Sequence, residues 1–116
     1  LFNALEKVNN SLATKGPWLC GRDLTLADIK LFPTIIRWEM VYMNLFSCSK
    51  KQLWEFPLIW KWRKDFLAIP SIMDTCDATT WRNDYFGALF PLRPSGIVPA
   101  GSDLFRMVNA EPPQIK

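Results

Sequence analysis

Along the first fifteen residues, apolar positions recur at helical spacing. Leu1, Leu5, Val8 and Leu12 share one stripe and Glu6, Lys7, Asn9 and Asn10 lie opposite, which predicts an amphipathic helix with one wet face. The stripe ends at Lys15-Gly16-Pro17, where glycine can take the left-handed position after the last turn and proline cannot continue the helix. After a short loop, Leu24-Thr25-Leu26-Ala27-Asp28-Ile29 carries a second helix start. Thr25 fits the N-cap, Asp28 can accept from the Thr25 backbone N–H, and Leu24 is spaced to staple onto Ile29. Over residues 26–43, Ile29, Leu31, Phe32, Ile35, Ile36, Trp38, Met40, Val41 and Met43 put apolar groups on nearly every side, so this helix is expected at the centre of the core. Pro33 should bend it, because proline leaves the Ile29 carbonyl without its donor.

Residues 46–51 read as a polar turn. A further helix runs from about residue 50 into the sixties, with Pro57 either breaking it or opening a new first turn, and with Leu58, Trp62 and Phe66 as its packed stripe. Pro70-Ser71 predicts another start, Ser71 and Asp74 being a possible capping pair, and residues 77–88 a last helix carrying Trp81 and Tyr85. Beyond Gly87, prolines 91, 94, 99, 112 and 113 with Gly96 and Gly101 predict an extended, irregular tail lying on the body or on a partner. There is no internal repeat and no convincing period-two strand. The expectation is an all-α helical domain over residues 1–88, truncated at its start because Leu1 already reads as helix, followed by a tail over 89–116.

Composition narrows the chemistry. The chain has 116 residues, 49% apolar and 22% charged with a net charge of +3, which suits one folded domain rather than a disordered chain. It contains no histidine, so imidazole bases, His-based triads and His-ligated zinc or haem are excluded. Cys20, Cys48 and Cys76 stand at unrelated spacings that make neither a disulfide framework nor a zinc ribbon; they read as small buried hydrophobes in a reducing intracellular compartment, cytosol or organelle interior. Cys48, between two serines and before Lys50-Lys51, is the candidate if any thiol reacts. No apolar run approaches the roughly 20 residues of a spanning helix. Trp54, Trp60 and Trp62 interleave with Lys61, Arg63 and Lys64, but Glu55 and Asp65 interrupt the charge. Core packing with snorkelling basic stems is expected there, and no nucleic-acid partner. The segment from Trp38 to Phe46 is apolar enough to form an interface wherever it is exposed.

The cap-and-staple segment from Gly21 to Ile29, ahead of a buried central helix, resembles the C-terminal half of the cytosolic glutathione transferases. Phe32 to Cys48 narrows this, with an Arg-aromatic-acidic group, then Val41-Tyr42, then Phe46-Ser47-Cys48. So do Phe56-Pro57-Leu58-Ile59-Trp60, Ile69-Pro70, Asp84-Tyr85-Phe86-Gly87 and Pro94 to Pro99. In order and spacing these resemble the glutathionyl-hydroquinone reductases, the Xi class, over roughly residues 1–101. The resemblance implies a glutathione transferase C-terminal-like bundle. It also implies an N-terminal thioredoxin-like domain whose Cys-Pro-Trp-Ala cysteine takes the glutathionyl group from a glutathionyl-hydroquinone before a second glutathione releases it. That turn is not in this sequence: Pro17-Trp18-Leu19-Cys20 has another order and precedes a helix cap, so no catalytic residue is expected here, nor a metal ligand, nor a cofactor other than the glutathione implied for the full-length family member.

By the same resemblance, Tyr42 and Tyr85 are the candidate residues for binding an aromatic substrate, while Thr25 and Asp28 are structural caps. The family reads His-Tyr-Tyr-Gly where this chain has Asp84, Tyr85, Phe86 and Gly87; either tyrosine of that motif could carry the role, and one survives. The nearby histidines are also replaced, and Arg93 stands where asparagine is common. Two functions follow. One is the electrophile-binding half of a glutathione-dependent reductase, partnered by the missing thioredoxin-like domain. The other is a noncatalytic interaction subunit or linker that keeps the fold, as a homodimer or within a larger assembly.

Overall fold

The stripe of Leu5, Val8 and Leu12 winds into α1, Phe2–Lys15, which buries Leu5 and Leu12 and half-buries Val8 in a computed structural model that describes residues 1–88, 94–100 and 103–111. Leu1 precedes the first turn and stays 64% exposed, so it does not join the stripe. Gly16 ends α1 for a reason other than the expected left-handed turn: its φ is −39° and its N–H closes on the Leu12 carbonyl at 2.9 Å. A Cβ there would lie 2.4 Å from that oxygen, so close approach demands the glycine.

α2, Leu26–Arg37, starts from the Thr25–Asp28 capping box. It does not run on as one helix to residue 43. Its end widens into a π turn over Trp38–Tyr42, with the Met43 N–H reaching back five residues to the Trp38 carbonyl, and then returns to α geometry in α3, Met43–Leu45. Burial is graded along this rod rather than uniform. Leu26 and Ile29 are exposed, whereas Ile35, Ile36, Trp38, Met40 and Val41 are buried. Leu24 is exposed as well, so the expected staple encloses no core.

Pro57 opens α4, Pro57–Leu67, after a separate 3-10 turn at Leu53–Glu55. Proline at the first position has no N–H to satisfy, and the next two donors, from Leu58 and Ile59, are both taken by Asn9 Oδ1 of α1 at 3.0 and 3.3 Å. Asn9 therefore caps a distant helix instead of sitting on a wet face. α4 buries Ile59, Trp60, Trp62, Arg63 and Phe66. Against α2, Phe66 stacks on Phe32 with ring centroids 4.1 Å apart and planes 9° from parallel, and Trp62 lies 5.7 Å from Phe66.

Ser71 has φ 68°, which rules it out as an N-cap because that position needs extended backbone; only a 3-10 turn, Met73–Thr75, follows. α5, Ala78–Ala88, begins instead at Asp77, whose carboxylate accepts from the Thr80 N–H at 3.0 Å and hydroxyl at 2.7 Å. The tail is not wholly irregular. Residues 96–100 carry no regular structure, but α6, Leu104–Asn109, is capped by Asp103 through the Arg106 N–H at 2.8 Å, and Glu111 returns to Lys64 of α4 at 2.8 Å. Expectations resting on Pro91, Arg93, Gly101, Pro112 and Pro113 lie outside the described residues. Among the described residues no strand forms beyond a Trp18–Gly21 bridge, and no helix is long and apolar enough to cross a membrane.

Candidate functional site

At the usual helical pitch, residues five apart point about 140° away from each other. The π turn changes that for Arg37, which precedes it, and Tyr42, which closes it, bringing the two toward one face. α5 packs on this turn and supplies Trp81 and Tyr85. The chain has two tyrosines, and their hydroxyls meet at 3.2 Å across 43 residues of sequence. Their rings pack edge to face at 5.5 Å, and Phe46, half exposed, lies 5.7 Å from Tyr42. The Arg37 guanidinium covers Trp81 at 4.9 Å from the ring centroid. Its Nε is buried with no hydrogen-bond partner among the described residues.

The result is an aromatic corner with two hydroxyls and a cation. Burial pushes Tyr42 above the usual tyrosine range. The Tyr85 hydroxyl adds to this through its hydrogen bond and its charge, and Arg37 pulls back through charge and hydrogen bonding to the Tyr42 oxygen. Tyr42 is thus neutral at physiological pH, and in its contact with Tyr85 either hydroxyl can donate. Phe86, in contrast, is fully buried, so of the two motif positions Tyr85 is the one beside Tyr42.

The thiols lie apart from such chemistry. All three are free, and Cys20 is exposed rather than buried. Cys76 borders Arg37, yet burial raises its pKa, with Thr75 and Arg37 opposing weakly, so the thiolate is disfavoured. Cys48 is half-buried, its Sγ 3.6 Å from the Phe46 carbonyl. Among the described residues no group of three His, Cys, Asp or Glu could hold a metal ion.

Two buried charges hold the frame of the site. Asp28 is inaccessible to solvent and accepts from the Leu19 N–H at 3.0 Å, the Thr25 N–H at 2.9 Å, the Thr25 hydroxyl at 3.2 Å and Trp62 Nε1 at 2.8 Å. Burial alone would raise its pKa, but the backbone bonds from Leu19 and Thr25 with those from the Trp62 and Thr25 side chains hold it below the usual carboxylate range. Arg63, read in sequence as a snorkelling stem, is wholly buried: it bonds Glu39 of the π turn at 2.6 Å and covers Trp60 at 4.2 Å. It pins the π turn to α4. The surrounding Lys and Trp residues gave no signal of this, because Glu39 and Arg63 are 24 residues apart.

The family described as glutathione S-transferase, C-terminal domain, matches residues 1–65. The chain belongs to that family. Over 101 residues it is 30% identical to the glutathionyl-hydroquinone reductase YqjG of Escherichia coli and 31% identical to the glutathionyl-hydroquinone reductase PcpF of Sphingobium chlorophenolicum, each alignment covering 87% of this chain. It spans 30% of the first relative and 32% of the second, about a third of their length. The glutathione-bound structure of YqjG superposes with a TM-score of 0.83 over 89% of this chain and 34% of that one, at 30% identity. The glutathione S-transferase Xi of Phanerochaete chrysosporium does so with 0.81 over 88% and 33%, at 32% identity. The all-α fold and the similarity to glutathionyl-hydroquinone reductases are therefore established.

Proposed function

We propose that this transferase domain supplies the aromatic-substrate pocket of a glutathionyl-hydroquinone reductase-like protein, with Tyr42 and Tyr85 orienting the substrate toward a cysteine on a thioredoxin-like domain. The observation that carries the reading is the 3.2 Å approach of the two hydroxyls inside an aromatic corner. A phenolic ring offers what such a corner recognises, a face for Phe46 and Trp81 and an oxygen for a hydroxyl. The departure at Phe86 does not count against it, since a fully buried position would not present a hydroxyl to a ligand. In the proposed reaction the cysteine takes the glutathionyl group as the hydroquinone leaves, and a second glutathione forms glutathione disulfide and regenerates the thiolate. Glutathione and the cysteine thus supply the chemistry, while this chain binds and orients.

The test is hydroquinone release from a glutathionyl-hydroquinone by the full-length protein with excess glutathione. Tyr42→Phe and Tyr85→Phe are each expected to lower kcat/KM by about tenfold, the cost of one hydrogen bond to a reacting oxygen. Unchanged turnover in both variants would refute the assignment. A second reading, a noncatalytic interaction subunit, is favoured by the exposed Leu24, Leu26 and Ile29 at the start of α2, which suit a protein neighbour. A full-length protein that binds its partners but never releases hydroquinone would select it.

A further inference from the structure

A widened helical turn does not hold itself. An ordinary α turn would satisfy the same backbone groups in tighter geometry, so a π turn that persists needs support from outside its own helix. Here the Met43 N–H reaches the Trp38 carbonyl, whereas an α-helix would bring it to the carbonyl of Glu39. Glu39 is also where the outside support attaches: its carboxylate accepts from Arg63 Nη1 at 2.6 Å. The Arg63 side chain is wholly inaccessible and that of Glu39 is 18% exposed, so water competes little for either. Arg63 is itself held still. Its guanidinium lies over Trp60, and α4 is fixed by the Asn9 cap from α1 and by the stacking of Phe66 on Phe32 of α2.

What the turn places is Tyr42. Relaxing it to α geometry would carry Tyr42 round the axis by one residue's step, roughly 100°, relative to α2. That would break the edge-to-face contact with Tyr85 at 5.5 Å and the 3.2 Å approach of the hydroxyls. Tyr85 cannot follow, because it is carried by α5, which is anchored by the fully buried Phe86. We propose that Glu39 and Arg63 are positioning residues of the pocket: their ion pair selects the π turn over a continuous α-helix and thereby aims Tyr42 at Tyr85. This rests on the reading of the corner as an aromatic pocket and adds what sets its geometry. Neither residue touches the ligand; both act through the direction of the Tyr42 side chain.

The test is a double-mutant cycle in the full-length protein, read as kcat/KM for hydroquinone release from a glutathionyl-hydroquinone with excess glutathione. Glu39→Gln keeps the size of the side chain and removes its charge. It is expected to lower kcat/KM about tenfold where Tyr42 is present and by less than about twofold in Tyr42→Phe, since misdirecting a hydroxyl has no effect once the hydroxyl is gone. Equal losses in the two backgrounds, or none in either, overturn the proposal and leave the pocket standing. Glu39→Leu with Arg63→Met separates stability from position: it should regain the urea stability lost in Glu39→Ala while kcat/KM stays low. Its crystal structure should show the Met43 N–H on the carbonyl of residue 39. Full turnover in that variant, or a Met43 N–H still on Trp38, overturns the proposal too. If neither Tyr42→Phe nor Tyr85→Phe changes turnover, the pocket reading fails, and the positioning role with it.

Discussion

A carboxylate withdrawn from water must have its lone pairs filled, and at Asp28 four donors fill them. Asp28→Ala would strand the Leu19 N–H and the Trp62 indole N–H, and is expected to cost about 2–4 kcal/mol in urea unfolding. The pH dependence has a definite sign. Because the folded pKa lies below the ordinary value, the contribution of Asp28 is fully present above the unfolded pKa near 4 and is lost as pH falls through the folded value. Stability measured from pH 5 downward should therefore fall less steeply for Asp28→Asn than for the unsubstituted protein. Half of this site was legible in the sequence. The three-residue spacing to Thr25 announces a cap, whereas the Trp62 donor comes from 34 positions away and no local pattern announces it.

At the scale of elements, what fixes each helix is often supplied by another. α4 takes its cap from α1, and Asn9→Ala should cost about 1 kcal/mol by exposing the Leu58 and Ile59 donors, a loss read from the midpoint of chemical unfolding. The π turn is held by Glu39 on Arg63, a pair with the cation fully inside. Removing the anion alone leaves an uncompensated buried charge, so Glu39→Ala is expected to cost about 3–5 kcal/mol, while Glu39→Leu with Arg63→Met should recover most of it. Should the double variant be no more stable than Glu39→Ala, packing rather than charge would be what the pair provides. Periodicity located α1 and α4 because each buries a stripe, and the Thr25–Asp28 cap located the start of α2. It could not find the π turn, since an apolar run on every side carries no phase from which a widened turn could be read. It also missed α6, whose six residues are too short for a period and whose surroundings are dominated by proline.

Across the whole molecule, every buried core residue among those described lies at or before Phe86. α6 adds the half-buried Leu104 and an ion pair whose Glu111 is 82% exposed, a kind of contact worth about 1 kcal/mol or less. We therefore expect residues 1–88 to behave as the cooperative unit and the remainder to ride on it. The change of composition after Gly87 suggested this boundary, while the resemblance to the family came through motifs on both sides of it. A chain ending at Ala88 should unfold in urea as a single transition, with a stability within about 2 kcal/mol of the 116-residue chain and an unchanged m-value. A larger loss with a smaller m-value would mean that residues beyond 88 bury surface belonging to the same core. The tail would then have to be counted as part of the domain, and any pocket variant would have to be made with it present.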